Sequence, residues 1–198
     1  MTPLPSIAEL TRLRRDIVFS ETLQRHELTF HTTWGLFSPR EIDAGSRLLL
    51  EHIEVDEGTH SLDVGCGYGA LGLTLAAMSP KGTATLIDKD FVAVEYCRKN
   101  AAADGLENTE IFLSNGLNQV EQDGFNLVVT NLPAKSGKEL YTLMFCDAYS
   151  KLQPGGRFYI VTINGLRQFV KRNFVEIFGN YKKLKQGPVY TVAMAVRE

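Results

Sequence analysis

Three glycines stand at alternate positions in Asp63-Val64-Gly65-Cys66-Gly67-Tyr68-Gly69. They follow the short run Ser61–Val64 directly and precede a helical stretch, Leu71 to Met78. No other feature constrains the fold as strongly. Glycine reaches positive φ without a Cβ penalty and lets a ligand approach the backbone. A glycine-built strand-to-helix turn belongs at the carboxyl end of a strand in an open parallel sheet, the edge where ligands bind. Read without a ligand, the same glycines make only a tight turn.

The rest of the chain agrees with that sheet. Strand patterns are expected over Ser61–Val64, Thr83–Ile87, Glu110–Leu113, Phe125–Thr130, Arg157–Ile163 and Val189–Val196. Helices are expected over Asp43–Ile53, Leu71–Met78, Phe91–Ala103, Lys138–Leu152 and Leu166–Phe178, the first with Asp43 as its N-cap. Alternation at this spacing gives right-handed βαβ units. The expected fold is Rossmann-like α/β, with a mostly parallel seven-stranded sheet, helices on both faces and an antiparallel C-terminal strand. Residues 1–34 read as an N-terminal extension, with a short helix over Ile7–Arg15. A hairpin of Val18–Leu23 and Glu27–Thr32 would turn at Gln24-Arg25-His26. The cofactor domain is expected over 35–198.

Composition narrows the class. The 198 residues are 44% hydrophobic and 22% charged, which suits one packed domain. No apolar run approaches the roughly 20 residues needed to span a bilayer, and no signal peptide is read at the N-terminus, so no membrane partner is expected. Cys66, Cys97 and Cys146 have neither disulfide nor metal spacing, which points to the cytoplasm. His26, His31, His52 and His60 are scattered, and no metal site is expected. Net charge is −2, yet residues 160–198 hold seven basic residues against two acidic ones. That quarter either meets phosphates or is a solvated face.

The glycine loop alone does not name a cofactor, because Gly65, Gly67 and Ala70 also fit a dinucleotide pattern. Asp63, placed just before the loop, opposes a dianionic pyrophosphate and suits a cationic ligand. S-adenosylmethionine (SAM) carries a positive sulfonium and amine, with a carboxylate that suits a helix N-terminus. Asp88 closes the second strand, where a carboxylate can accept bonds from ribose hydroxyls. The alternative for Asp88 is a helix N-cap, for which Asp90 is better placed. Lys89 lies beside it in the candidate cofactor site. In Ser114-Asn115-Gly116, Asn115 offers both donor and acceptor to an adenine edge, or else simply turns the chain beside Gly116.

The fourth parallel strand runs into Asn131-Leu132-Pro133-Ala134-Lys135-Ser136-Gly137-Lys138. Upstream lies a second block: Gly35-Leu36-Phe37-Ser38, Asp43, Gly45-Ser46 and Leu48-Leu49-Leu50. With the glycine loop, these resemble class I SAM-dependent methyltransferases, and within them the small methyltransferase domain family. The resemblance runs from about Phe30 to the C-terminus and is closest to archaeal single-domain members. The second, degenerate domain of larger bacterial enzymes is not expected. Members methylate the exocyclic N2 amine of guanine in ribosomal RNA. The resemblance implies SAM as cofactor and ribosomal RNA as partner. It assigns catalysis to Asn131, Leu132 and Pro133, and places Phe37 in the wall of the cofactor pocket. Two positions depart from the family's Asn-Pro-Pro-aromatic motif. Leu132 replaces the first proline, which keeps the carbonyl but loses rigidity. Ala134 replaces the ring, leaving Trp34 or Phe37 to stack on a base or to pack in the core.

The chemistry accounts for the motif. An exocyclic aromatic amine is a poor nucleophile, because its lone pair is delocalised into the ring. The Asn131 side-chain oxygen and the Leu132 carbonyl could each accept one amine proton and turn the lone pair towards the methyl. Alignment of this kind supplies roughly 7–11 kcal/mol. Lys135 and Lys138, beside the motif, either contact phosphate or are solvated. The expected function is N-methylation of guanine in ribosomal RNA. The alternatives are methylation of a protein amide or small-molecule amine, and a non-catalytic SAM-binding module.

Overall fold

A computed structural model describes residues 4–134 and 136–198. The chain opens with helix α1 (Ile7–Leu13), started by a Ser6/Glu9 capping box, and none of its residues is buried. Strands β1 (Ile17–Leu23) and β2 (His26–Thr32) pair antiparallel as a separate two-stranded sheet. Their loop is two residues, Gln24 and Arg25, both at positive φ. That geometry matches the twist of the flanking strands.

The body follows as α2 (Ala44–Leu50), β3 (Ser61–Val64), α3 (Gly72–Met78), β4 (Ala84–Asp88), α4 (Phe91–Ala103), β5 (Thr109–Leu113), β6 (Phe125–Asn131), α5 (Lys138–Lys151), β7 (Leu152–Ile163), α6 (Arg167–Phe178), β8 (Lys182–Gln186) and β9 (Tyr190–Val196). A single 3-10 turn, Asn164–Leu166, leads into α6. The sheet order is β5-β4-β3-β6-β7-β9-β8. All strands point one way except β9, which is antiparallel to both β7 and β8. The expected antiparallel C-terminal strand is therefore present, but it lies inside the sheet. The edge is β8, a strand not expected from the sequence. Its Lys-Lys-Leu-Lys-Gln carries one partly buried apolar residue, Leu184, so it has no hydrophobic alternation to read.

Strand alternation divides the core between the two faces. Leu62 and Val64 of β3, with Phe158 and Ile160 of β7, pack with Phe145 of α5 and with Val170 and Phe174 of α6. Tyr159 and Val161 of β7 face the other layer, with Leu49 of α2 and Leu73 of α3. Leu23, Leu28 and Phe30 of the hairpin belong to that same layer, so residues 17–32 pack into the body. Asn100 of α4, fully buried, ties the hairpin down. Its Oδ1 accepts from the His31 N–H at 2.7 Å, while its Nδ2 donates to the carbonyls of His31 and Tyr68.

The chain reverses its direction of sheet growth between β3 and β6. From β3 it moves outwards to β4 and β5, then returns to β6 on the other side. A crevice opens at the carboxyl ends where these two directions part. No helix among the described residues is long and apolar enough to cross a membrane.

Candidate active site

That crevice holds a cavity of about 510 Å³, within the range for a small organic ligand. It has two ends. At one, the glycine loop after β3 meets the ends of β4 and β5. At the other, the end of β6 meets α2, α5 and the start of β9.

At the first end, Gly65 and Gly67 have φ of +78° and +56°, and a Cβ on either would project into open space. The N–H groups of Gly65 and Cys66 both donate to the Ile87 carbonyl, which anchors the loop to β4. Cys66 lines the cavity, and a hydrogen bond with Cys97, together with burial, pushes its thiol well up and keeps it protonated. Gly69, the third glycine among the candidate cofactor residues, does not line the cavity. At φ +103° its added Cβ would meet Leu73 Cγ at 2.7 Å and Cys97 Sγ at 3.0 Å, so its role is to let the loop pack onto the helices.

Asp63 is 1% exposed. Its Oδ2 accepts from the Gly72 N–H at 2.8 Å, and its Oδ1 has no partner among the described residues. Burial pushes its carboxyl up to about 7, with Asp88 adding to the rise and the Gly72 bond opposing it. Asp63 thus braces the first turn of α3 with one oxygen and leaves the other unsatisfied at the cavity wall. Asp88 receives the Gly67 N–H at 2.9 Å on Oδ2 and the Asp90 N–H at 3.0 Å on Oδ1. The N-cap of α4 is Asp90, bonded to the Val92 N–H, so Asp88 is not spent on capping. Lys89, Asn115 and Gly116 also line this end; the Asn115 N–H donates to Gln119 Oε1 at 2.8 Å, and its own side chain is unpaired among the described residues.

At the second end, Asn131 Nδ2 donates to Asp43 Oδ2 at 2.9 Å and to Ser46 Oγ at 3.0 Å. An ionised carboxylate can only accept, so it fixes which way the amide points. Asn131 Oδ1 is left accessible and unpaired among the described residues. Asp43 is shared four ways. Its Oδ2 also caps α2 through the N–H groups of Gly45 and Ser46, and its Oδ1 accepts from Tyr190 Oη at 3.0 Å. Burial and this bond raise the Tyr190 phenol, which stays a donor. The Tyr190 ring presses against α2, where a Cβ on Gly45 would come within 3.1 Å of it.

Leu132 is buried, and its N–H donates to the Val161 carbonyl at 2.9 Å. The loop regains the order that a second proline would give through Tyr141. Its buried hydroxyl donates to the Pro133 carbonyl and accepts from the Ser136 N–H. Leu132, Pro133 and Ala134 all line the cavity. Of the two rings named as candidates to compensate for Ala134, only Phe37 lines the cavity, at 65% exposed. Trp34 instead lies under the Arg40 guanidinium, 4.7 Å from its centroid. Phe37 is placed by Tyr68, whose hydroxyl donates to the carbonyls of Ser38 and Glu41. Lys138 is exposed on the first turn of α5, and Lys135 lies outside the described residues.

Sequence reasoning missed Tyr190, Ile163, Leu140 and Met144, which line the second end. Ile163 and Tyr190 are partners across β7 and β9, and no local pattern announces that pairing. No group of three or more potential metal ligands occurs among the described residues.

This sheet order, with a glycine loop after its first strand and an asparagine at the end of the fourth, defines a Rossmann-like methyltransferase. A sequence model of the methyltransferase small domain matches residues 27–194, and the chain belongs to that family. It is 36% identical over 145 residues to the uncharacterised protein YbxB of Bacillus subtilis, covering 72% of each chain. It is 32% identical to ribosomal RNA large subunit methyltransferase G of Cronobacter sakazakii, over 85% of this chain and 46% of that one. A solved structure of the T. thermophilus 16S rRNA N2 G1207 methyltransferase RsmC, in complex with AdoMet and guanosine, superposes with a TM-score of 0.84 at 30% identity. The match covers 99% of this chain and 52% of RsmC, so the chain spans about half the length of these two methyltransferases.

Proposed function

We propose that this protein transfers a methyl group from SAM to the exocyclic N2 amine of a guanine in ribosomal RNA, in the cytoplasm. The carrying observation is the fixed amide of Asn131: Asp43 and Ser46 hold its nitrogen, which leaves its oxygen unpaired among the described residues and available to an acceptor. The RsmC complex with AdoMet and guanosine supports both the donor and the acceptor.

The first end of the cavity fits SAM. The unpartnered Asp63 oxygen suits a cationic group, the Cβ-free side of Gly65 and Gly67 makes a cradle, and Asp88 keeps carboxylate lone pairs for ribose hydroxyls. Phe37, Cys66, Lys89, Asn115 and Gly116 complete the proposed cofactor residues. Bound SAM supplies an electrophilic methyl on a positively charged sulfur. The chain's part is alignment. Asn131 Oδ1 and the Leu132 carbonyl each accept one amine proton, so the nitrogen lone pair turns out of the ring plane, and Pro133 holds the loop. The surplus proton on the methylated nitrogen is acidic and leaves to water, so no general base is needed. A guanine inside a duplex cannot enter the cavity, so the target base is unpaired or flipped out.

Replacing Asn131 with Ala removes one acceptor. We expect kcat on unmodified ribosomal RNA to fall at least 100-fold, with SAM affinity within about twofold of the parent. Undiminished methylation would remove Asn131 from the mechanism. Ala134, which offers no ring to a base, favours a second reading, a protein amide or small amine as acceptor. Labelled SAM incubated with ribosomal subunits and protein extract separates the two by where the label appears.

A further inference from the structure

The basic residues of the C-terminal quarter gather on neighbouring elements without acidic partners among the described residues, whereas six of those in the body are ion-paired. Arg47, Lys81, Arg98, Lys99, Lys151 and Arg157 each lie within 4 Å of a carboxylate. Among the described residues, no such pair involves Arg167, Lys171, Arg172, Lys182, Lys183 or Lys185, all of them exposed. The lysines sit on β8, the open edge of the sheet. Register places Lys183 beside Ala193, on the face that α6 covers, and Lys182 and Lys185 beside Met194 and Val192, on the other. They therefore flank the edge from both sides.

The helix next to β8 adds to the strip. Phe169 and Asn173 turn one flank of α6 towards α5, where Asn173 Oδ1 accepts from Thr142. Arg167 and Lys171, one turn apart, lie on the opposite flank. Phe174, three residues after Lys171 on the same helix, packs its ring 6.3 Å from that of Tyr181 just before β8, which places that flank at the edge. Lysines on an edge strand also discourage pairing with another chain. That accounts for β8 but not for Arg167 and Lys171.

The strip leads to the active site. β8 runs in the same direction as β7, so its last residue, Gln186, lies at the carboxyl edge of the sheet. There the Gly187 N–H donates to the Tyr190 carbonyl and Asn164 Nδ2 donates to the Gly187 carbonyl. Tyr190 itself lines the cavity. Five strand residues span about 16 Å, enough for a short run of phosphates.

We infer that the β8 edge, with Arg167 and Lys171 of α6, is a docking track for the RNA phosphate backbone that delivers a nucleotide to the cavity. The inference rests on the proposed RNA acceptor. Phosphate contacts carry no sequence information but set register and affinity, so the strip would hold the strand while the cavity reads the base.

The test compares the full chain with K182E/K183E/K185E and R167E/K171E, using an unmodified ribosomal RNA transcript. Glutamate keeps a charge on the edge, so solubility is retained. A third variant, R12E/R14E/R15E, changes charge as much as the triple lysine variant but around the C-terminal end of α1. We expect the KM for RNA to rise at least tenfold in the first two, with kcat, melting temperature and calorimetric SAM affinity near the parent. For three lost single-strand phosphate contacts, the slope of log affinity against log salt becomes shallower by about 2. An unchanged KM in both variants overturns the track. So does an equal loss in the α1 variant, which would mean that affinity follows net charge. If the parent neither binds nor methylates RNA but labels protein, the RNA acceptor itself fails, a result distinct from either.

Discussion

Asp43 lies outside the Asn131 motif, yet its loss should impair transfer. In Asp43→Ala, two energies separate. The α2 cap disappears, which costs about 1 kcal/mol of stability, or about 2–4 °C in melting temperature for a chain of this size. The charge-assisted bond to Asn131 Nδ2 also disappears, worth about 1.5–3 kcal/mol. What remains is Ser46 Oγ, and a hydroxyl donates as readily as it accepts. It cannot tell the amide oxygen from the nitrogen, so the flipped amide offers a donor where the amine needs an acceptor. If the lost energy falls on the transition state, kcat drops roughly 10- to 150-fold. The assay is single-turnover methyl transfer at saturating SAM and RNA, beside calorimetric SAM binding and a thermal melt. Asp43→Asn keeps an acceptor oxygen for Asn131 and for the cap, so it should recover part of the rate. A kcat within twofold of the parent for Asp43→Ala would refute the reasoning. A loss confined to SAM affinity would refute it equally.

Gly72→Ala tests the close approach of α3 to the sheet: the new Cβ would lie 2.3 Å from Leu86 Cδ2 in a fully buried position. We expect a loss of about 1–3 kcal/mol, read as a lower melting temperature, and an unchanged melt would show that the layer yields. Asp63 predicts two pH effects. The folded protein holds this proton up to about pH 7, whereas the unfolded chain releases it near 3.9, so the folded state binds more protons in between. Stability should therefore fall as pH rises from about 4 to about 7 and then level off, and Asp63→Asn should flatten that slope in denaturant titrations across pH. A cationic ligand beside the carboxylate favours its charged form, so SAM should bind more tightly as pH rises towards 7. Calorimetry at pH 6.5 in buffers of differing ionisation enthalpy should then show proton release, and its absence would remove Asp63 from the cation site.

What was legible in the sequence was local. The glycine loop sits where a strand meets a helix, and Asp90 caps α4 while Asp88 lines the cavity, as their neighbouring positions implied. The strands read from alternation are present within a few residues, except that β7 begins at Leu152, running through Pro154-Gly155-Gly156. These glycines and the proline look like a stop to a pattern reader, but an irregular register with β6 accommodates them. The illegible parts depend on contacts distant in sequence. β8 has no apolar alternation because an edge strand needs little, and its position follows only from β9 inserting beside β7. Tyr190 enters the site by the same insertion. Asp43 shows the limit most clearly. Its local role, capping α2, was readable from one sequence window, and the structure bears it out. The carboxylate that caps the helix also orients Asn131, 88 positions later, and takes the Tyr190 hydroxyl, 147 positions later. Cap, Asn131 amide and final strand therefore meet on two oxygens. Any substitution that satisfies the helix alone, such as Asp43→Ser, should keep the fold while losing the orientation. A local signal can thus be correct and still conceal the constraint that the active site places on the residue.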